Sequence, residues 1–269
     1  MFSARYAVLT LLSMTLLAPQ SLKAEPVPVR QAEGLVHGFL VLRDLDGTTL
    51  ADGDLIQTSQ GTRVTTRLLF QFKDGSVHDE TAVYTQRQQF LLQTYHLIQK
   101  GPTFKRPVDM LIDARNGRVT VQYADDDGKP KSAGEQMDLP PDLANGLVLT
   151  LLKNVKPESP PKSLSYVAAT PSPRLIKLEL SVAGRERFSL GSKGREATHY
   201  VLKPDIGGIS GLLAPLVGKQ PPDSHVWVLG GEAPAFVKSE APMFLGGAVW
   251  RIELVSPTWP KAAAPTQTR

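Results

Sequence analysis

The chain has 269 residues, 41% of them hydrophobic, with 22 glycines, 22 prolines and no cysteine. That is enough apolar material for one large domain or two small ones, and it excludes disulfide scaffolds and thiol chemistry. Its formal charge of +4 is spread along the chain, with no basic run or aromatic–basic motif to suggest nucleic acid as a partner.

Residues 1–24 read as a signal peptide. Arg5 gives a short positive start, and residues 7–17 (AVLTLLSMTLL) form an apolar run too short to span a bilayer as a stable helix. Residues 21–24 (SLKA) offer cleavage after Ala24, although Leu22 is larger than the favoured small residue. A retained anchor is the bland alternative, and the shortness of the run argues against it. Without a cysteine there is no lipid attachment of the bacterial lipoprotein kind. Cleavage removes Arg5 and Lys23, leaving 28 basic residues against 26 acidic ones, a net +2. The expected location is periplasmic or secreted, with no permanent membrane span. A β-rich domain is expected over 25–256, with halves 25–156 and 162–256 as an alternative division.

A Pro-containing lead-in (25–33) precedes a first strand over 35–42, a turn at Asp44–Gly47, and a second strand from Gly53 onward. The central stretch is 62–99. Val64, Leu68, Phe70 and Phe72 fall on alternate positions, with Arg63, Thr65, Arg67 and Gln71 between them. That is the period of a half-buried strand. The Gly75 turn follows, then 77–85, then Phe90, Leu92, Thr94, His96 and Ile98. This reads as a long β-meander with one apolar face. Asn116-Gly117, a strong hairpin signal, joins strands over 108–112 and 118–123, and Asp125–Gly128 leads to 131–137.

The period then changes. Leu143, Leu147, Leu151 and Val155 are spaced by four, and Val148 and Leu152 widen the stripe. This predicts one amphipathic helix of about three turns, stopped by Pro157. Strands resume at 163–169, 175–182, 187–190, 198–203, 226–229, 235–238 and 248–255, with turns expected at 183–186 and 191–194. Residues 257–269 form a loose tail rich in Pro, Ala and Thr.

The run 206–218 (IGGISGLLAPLVG) carries six large aliphatic residues and no charge. Its glycines and Pro215 suit neither a strand nor a long helix. It is either an apolar plug at one end of the sheet, or a lid over an apolar cavity or a contact for a membrane or partner.

No reaction signature emerges. His37, His78, His96, His199 and His225 show no metal-ligand spacing. His78 and Glu80 share a strand face and read as a polar strand end; His225 also reads as a strand-end residue. Ser210 lacks the nucleophile-elbow spacing. The Asp125–Gly128 turn lacks the ligand positions of a calcium loop. Glu80, Asp205, Asp223, Glu232 and Glu240 are carboxylates whose pairing sequence does not supply. No catalytic residue, metal or cofactor is assigned.

The leader, meander, single helix and second β-rich half resemble exported bacterial proteins of an uncharacterised β-rich family. Their pattern is similar to the periplasmic lipoprotein carriers of the LolA and LolB kind. That resemblance implies a curved antiparallel sheet, or half-open β-barrel, with one helix on its concave side, where those carriers hold acyl chains. The expectation is an exported protein that binds or carries an apolar or amphiphilic ligand such as a lipid. Phe70, Phe72, Phe90 and Leu92 would line the face, and Leu212, Leu213 and Leu216 would cover it. A cell-envelope protein-interaction module is the alternative, and a carboxylate-based hydrolase the third reading.

Overall fold

The computed structural model describes residues 26–125, 127–190, 193–205 and 221–256. The expected leader, the 206–218 run with Ser210, Leu212, Leu213 and Leu216, and the expected tail at 257–269 lie outside the described residues.

The first meander holds β1 (Val36–Arg43), β2 (Thr49–Gln60), β3 (Arg63–Phe72), β4 (Val77–Gln86), β5 (Phe90–Lys100), β6 (Val108–Asp113), β7 (Arg118–Ala124) and β8 (Pro130–Gln136). After the helix α1 (Val148–Asn154) come β9 (Ser163–Ala168), β10 (Arg174–Leu190), β11 (Lys193–Asp205), β12 (Ser224–Leu229), β13 (Ala235–Pro242) and β14 (Val249–Leu254). All pair antiparallel in one open sheet of order β8-β7-β6-β5-β4-β3-β2-β1-β14-β13-β12-β11-β10-β9. Each meander pairs in chain order, and the first and last strands join them, with Leu40 opposite Leu254.

The sheet must curl strongly. Fourteen strands laid flat would span about 60 Å. Yet Met137 donates its N–H to Gly117 O at 2.8 Å beside the β8 edge, while Leu143 bridges Ser165 of the other edge strand, β9. Six residues reach no farther than about 20 Å. The Tyr95 phenol of β5 also influences the Tyr166 phenol of β9, across the interior. The result is a mostly β half-barrel wrapped around α1, which touches β12 and β13.

The helix is shorter than the spacing predicts, two turns rather than three. Leu143, Leu147, Leu151 and Val155 are all buried. Leu143, however, sits in an extended segment on the β9 edge, and Gly146 (φ 68°) turns the chain into the helix. A Cβ at Gly146 would lie 2.7 Å from Ala82 Cβ and 3.0 Å from the Tyr95 ring, so this turn also needs the absence of a side chain. A seven-residue helix with no side-chain N-cap is not stable alone; packing holds it.

The expected turn at 183–186 is also corrected. β10 runs through it with a register shift between Val182 and Gly184, a bulge in which Gly184 has φ 143°. From Arg187 onward β10 pairs only with β11 residues 193–196, and these two segments pair with each other alone among the described residues, because β9 begins at Ser163, opposite Glu179, and β12 pairs only from Ala197 onward. This leaves an exposed two-stranded arm.

The sheet edges are managed differently. Edge strand β8 is exposed and carries Pro130, Lys131 and Glu135, residues that discourage edge-to-edge pairing. The β9 edge is covered by the chain itself. Asn145 exchanges hydrogen bonds with the Val167 backbone at 2.8 and 2.9 Å, and Asp142 accepts from Ser165 Oγ at 2.6 Å.

Apolar side chains fill the concave face in two clusters. The larger unites α1 with both meanders and includes Phe90, Leu92, Tyr84, Leu151 and Val226. The smaller gathers Phe70, Phe72, Leu40, Leu42 and Phe104.

Candidate functional site

The turns and the connections between elements divide the half-barrel into two ends. The β10–β11 arm, the β12–β13 turn and the lead-in to β1 share one end; the Gly75 turn and the Asp205 end of β11 share the other.

At the arm end, residues 26–35 cross the mouth as a strap. Val29 donates to Gln88 O, and Phe90 donates to Val27 O. Asn154 Oδ1, at the end of α1, accepts the backbone N–H of Arg30 at 2.9 Å and of Gln31 at 2.7 Å. Gln86 exchanges two hydrogen bonds with the Glu33 backbone. The Glu33 carboxylate lies 2.7 Å from Lys153 Nζ. The strap is thus bound to both the sheet and the helix.

Between the strap, the end of α1 and the β11–β12 wall lies a cleft of about 450 Å³. Leu152, Val155, Tyr200 and Val228 supply its apolar lining. Its rim is charged, from Arg30, Lys153, Arg185, Glu158 and Glu196. Two of these cations have partners: Lys153 is paired with Glu33, and Arg185 with Glu196 at 3.7 Å. Arg30 reaches Val155 O at 3.5 Å and has no carboxylate within ion-pair distance among the described residues. Burial, reinforced by the Glu158 charge and opposed by Arg30, pushes the Tyr200 phenol up to about 12. Tyr200 therefore stays protonated at neutral pH, a hydrogen-bond donor lining the same cleft as Arg30.

The residues expected to line a ligand face sit elsewhere. Phe70 and Phe90 are 0% and 2% exposed, Phe72 and Leu92 are nearly as buried, and none lines this cleft. The cleft residues come from five separated segments, which no periodicity links. The Pro-flanked lead-in and the Gly230-Gly231 turn were the available hints.

His78 is a further correction. The expected polar strand end is a buried side chain, 4% exposed, because position 78 falls on the concave face opposite Phe70. It does share that face with Glu80, 3.4 Å away, and its Nδ1 accepts from Gln99 Nε2 at 3.0 Å. Burial and the Glu80 charge raise both the Tyr95 and Tyr166 phenols.

The outer face holds a histidine pair that the 26-residue spacing conceals. His199 Nε2 lies 2.9 Å from His225 Nδ1, and His199 Nδ1 lies 2.9 Å from Glu186 Oε1. His199 stacks on Trp227 at 4.2 Å, and Lys238 Nζ sits 3.9 Å from that indole. Among the described residues no three His, Asp or Glu side chains group as metal ligands. The carboxylates considered for hydrolysis occupy different places. Glu80 is inside on β4, and Glu240 is outside on β13, bonded to Arg251 at 2.8 Å. Asp205 ends β11, Asp223 precedes β12, and Glu232 is in the β12–β13 turn.

The fold is thus a mostly β, half-open antiparallel barrel with a clefted mouth. No protein-family model matches the chain, and no curated protein does. Among solved structures, it is similar to a beta-barrel-like protein of the domain of unknown function DUF1849 from Brucella abortus. That match has 11% identity and a TM-score of 0.46, covering 84% of this chain and 98% of the other. It is also similar to the hypothetical lipoprotein YmcC from Escherichia coli, with 8% identity and a TM-score of 0.35, covering 84% and 87%. Among the described residues, no helix is long and apolar enough to cross a membrane.

Proposed function

We propose that the protein is exported to the periplasm or beyond and binds an amphiphilic ligand in the cleft at the arm end. The observation that carries this reading is the cleft's mixed lining: the apolar side chains of Leu152, Val155 and Val228 together with charged groups, Arg30 among them, and the Tyr200 phenol, whose pKa the Arg30 charge influences. A volume of about 450 Å³ falls within the usual range for small-molecule sites, roughly 300–1,000 Å³. Each methylene of an acyl chain buried against the apolar lining contributes about 0.8 kcal/mol before ordering costs. An anionic head would meet Arg30. This retains the lipid-type ligand and moves it from the middle of the meander to the mouth. Phe70, Phe72, Phe90 and Leu92 then form the packed wall behind the site. Leu212, Leu213 and Leu216 lie outside the described residues and have no role in the proposal.

Titration with a fluorescent fatty acid and with the matching uncharged alcohol tests the reading. Wild type is expected to bind both, the acid more tightly. Arg30→Ala is expected to weaken the acid by about tenfold or more, the loss of one charged hydrogen bond, and to leave the alcohol unchanged. A wild-type protein that takes up neither probe overturns the proposal.

A further inference from the structure

We infer that the cleft-bearing end of the half-barrel docks on an anionic lipid surface; the inference rests on the amphiphile reading for its purpose, and on separate residues for its support. Nine large hydrophobic side chains are exposed among the described residues, and six of them gather at this end: Leu35, Val36, Phe39, Ile56, Leu254 and Val255. They lie on or beside the neighbouring strands β2, β1 and β14. The register puts His37 opposite Ile56 and Leu40 opposite Leu254, and Val255 donates to Phe39 O. Leu35, at 81% exposed, extends the rim between the strap and β1. By strand alternation Phe39, Ile56 and Val255 share the outer face of this end while Val36 and Leu254 lie on the inner one; scattered exposed leucines need no explanation, but apolar side chains gathered on three neighbouring strands beside a cleft do.

Charge indicates which surface covers the rim. Across the cleft from it stands the β10–β11 arm, with Arg185, Arg187, Lys193 and Arg195 against Glu186 and Glu196. Both acids are engaged, by His199 and Arg185. Arg187, Lys193 and Arg195 form no ion pair among the described residues. The turns at this end add Arg87 against Glu232, Arg115 being paired with Asp113 at 3.0 Å; those at the opposite end carry Asp44, Asp46, Asp74, Asp125 and Asp127 against Lys73, Lys105, Arg106 and Lys129. Asp54, the acid across from Phe39, is held by His37 at 3.0 Å. An apolar rim with free cations on the other side of the cleft matches the two terms of interfacial binding: buried apolar area and attraction to anionic headgroups. Docked this way, the cleft would open toward the lipid.

Flotation with vesicles of equal parts phosphatidylcholine and phosphatidylglycerol, and with pure phosphatidylcholine, tests the inference. Wild type is expected to float with the anionic vesicles and much less with the uncharged ones. Phe39→Asp with Ile56→Asp, and separately Arg187→Glu with Arg195→Glu, should each lower the partition by about tenfold or more. Circular dichroism and the fatty-acid titration in lipid-free solution should stay at wild-type values. Three outcomes overturn the inference: no flotation of wild type, equal flotation with uncharged vesicles, or undiminished flotation of the Phe39 and Ile56 double variant. A dimer that this variant dissociates, without vesicle binding, would assign the rim to a second copy of the chain. Loss of fatty-acid binding by wild type would count against the cleft alone, since flotation does not depend on it.

Discussion

His199 uses both ring nitrogens. With Nδ1–H donated to Glu186, Nε2 is left to accept from His225 Nδ1–H, so the arrangement suits a neutral His199. Burial holds its pKa below the ordinary 6.5; Glu186 works against that shift, and the His225 and Lys238 charges work with it. A histidine with a depressed folded value makes the unfolded chain the stronger proton binder, so stability rises with pH there. This contribution is complete above 6.5 and is lost as pH falls toward the folded value. His199→Gln is therefore expected to flatten the slope of unfolding free energy between about pH 7 and pH 5.5, as followed by urea denaturation. Equal slopes in the two proteins would contradict this account. None of it was legible in sequence. The two rings meet because β11 and β12 are antiparallel neighbours, and the ladder, not the spacing, sets that meeting. His78 failed for a related reason. Alternation placed it on one face with Glu80, but which face turned inward depended on the closure of the whole sheet.

At the scale of elements, alternation was a good guide wherever one strand face is buried throughout. β3 shows this, since Val64, Phe70 and Phe72 are buried and Arg63, Arg67 and Gln71 exposed. It misled where neither face is buried. In the arm, residues 183–187 are all exposed, so Ala183-Gly184-Arg185-Glu186 looked like a turn although the ladder passes through it. The helix misled in the opposite sense. Spacing by four correctly picked four buried residues, but burial of Leu143 comes from an extended segment seated on β9. The distinction is testable at Gly146. Ala there would have to adopt φ near 68° and push against Ala82 and Tyr95. Gly146→Ala is expected to cost at least about 2 kcal/mol, from the left-handed backbone and overpacking together. If the helix instead began at Leu143, position 146 would be ordinary helix and the same change would stabilise it by up to about 1 kcal/mol. The chemical-denaturation midpoint decides between the two.

At the scale of the molecule, the ends of the described chain meet in the middle of the sheet, and the helical connection bridges its outer edges. That topology gives the two ends different characters. The strap, the end of α1 and the β11–β12 wall converge at one mouth, and the apolar rim and basic arm stand around it. Sequence made the half-barrel and its apolar face legible, because strand period is local. The cleft was not legible, because Arg30, Lys153, Tyr200 and Val228 meet only after the sheet has curled. The central claim is that an amphiphile seats at this mouth and not among the aromatic residues of the meander. Hydrogen exchange followed by mass spectrometry, with and without saturating fatty acid, tests it most directly. Protection is expected in 26–35, 152–158, 198–200 and 228–234, with β3 and β5 unchanged. Protection confined to 63–72 and 90–95, with the strap and the end of α1 unaffected, would contradict the account.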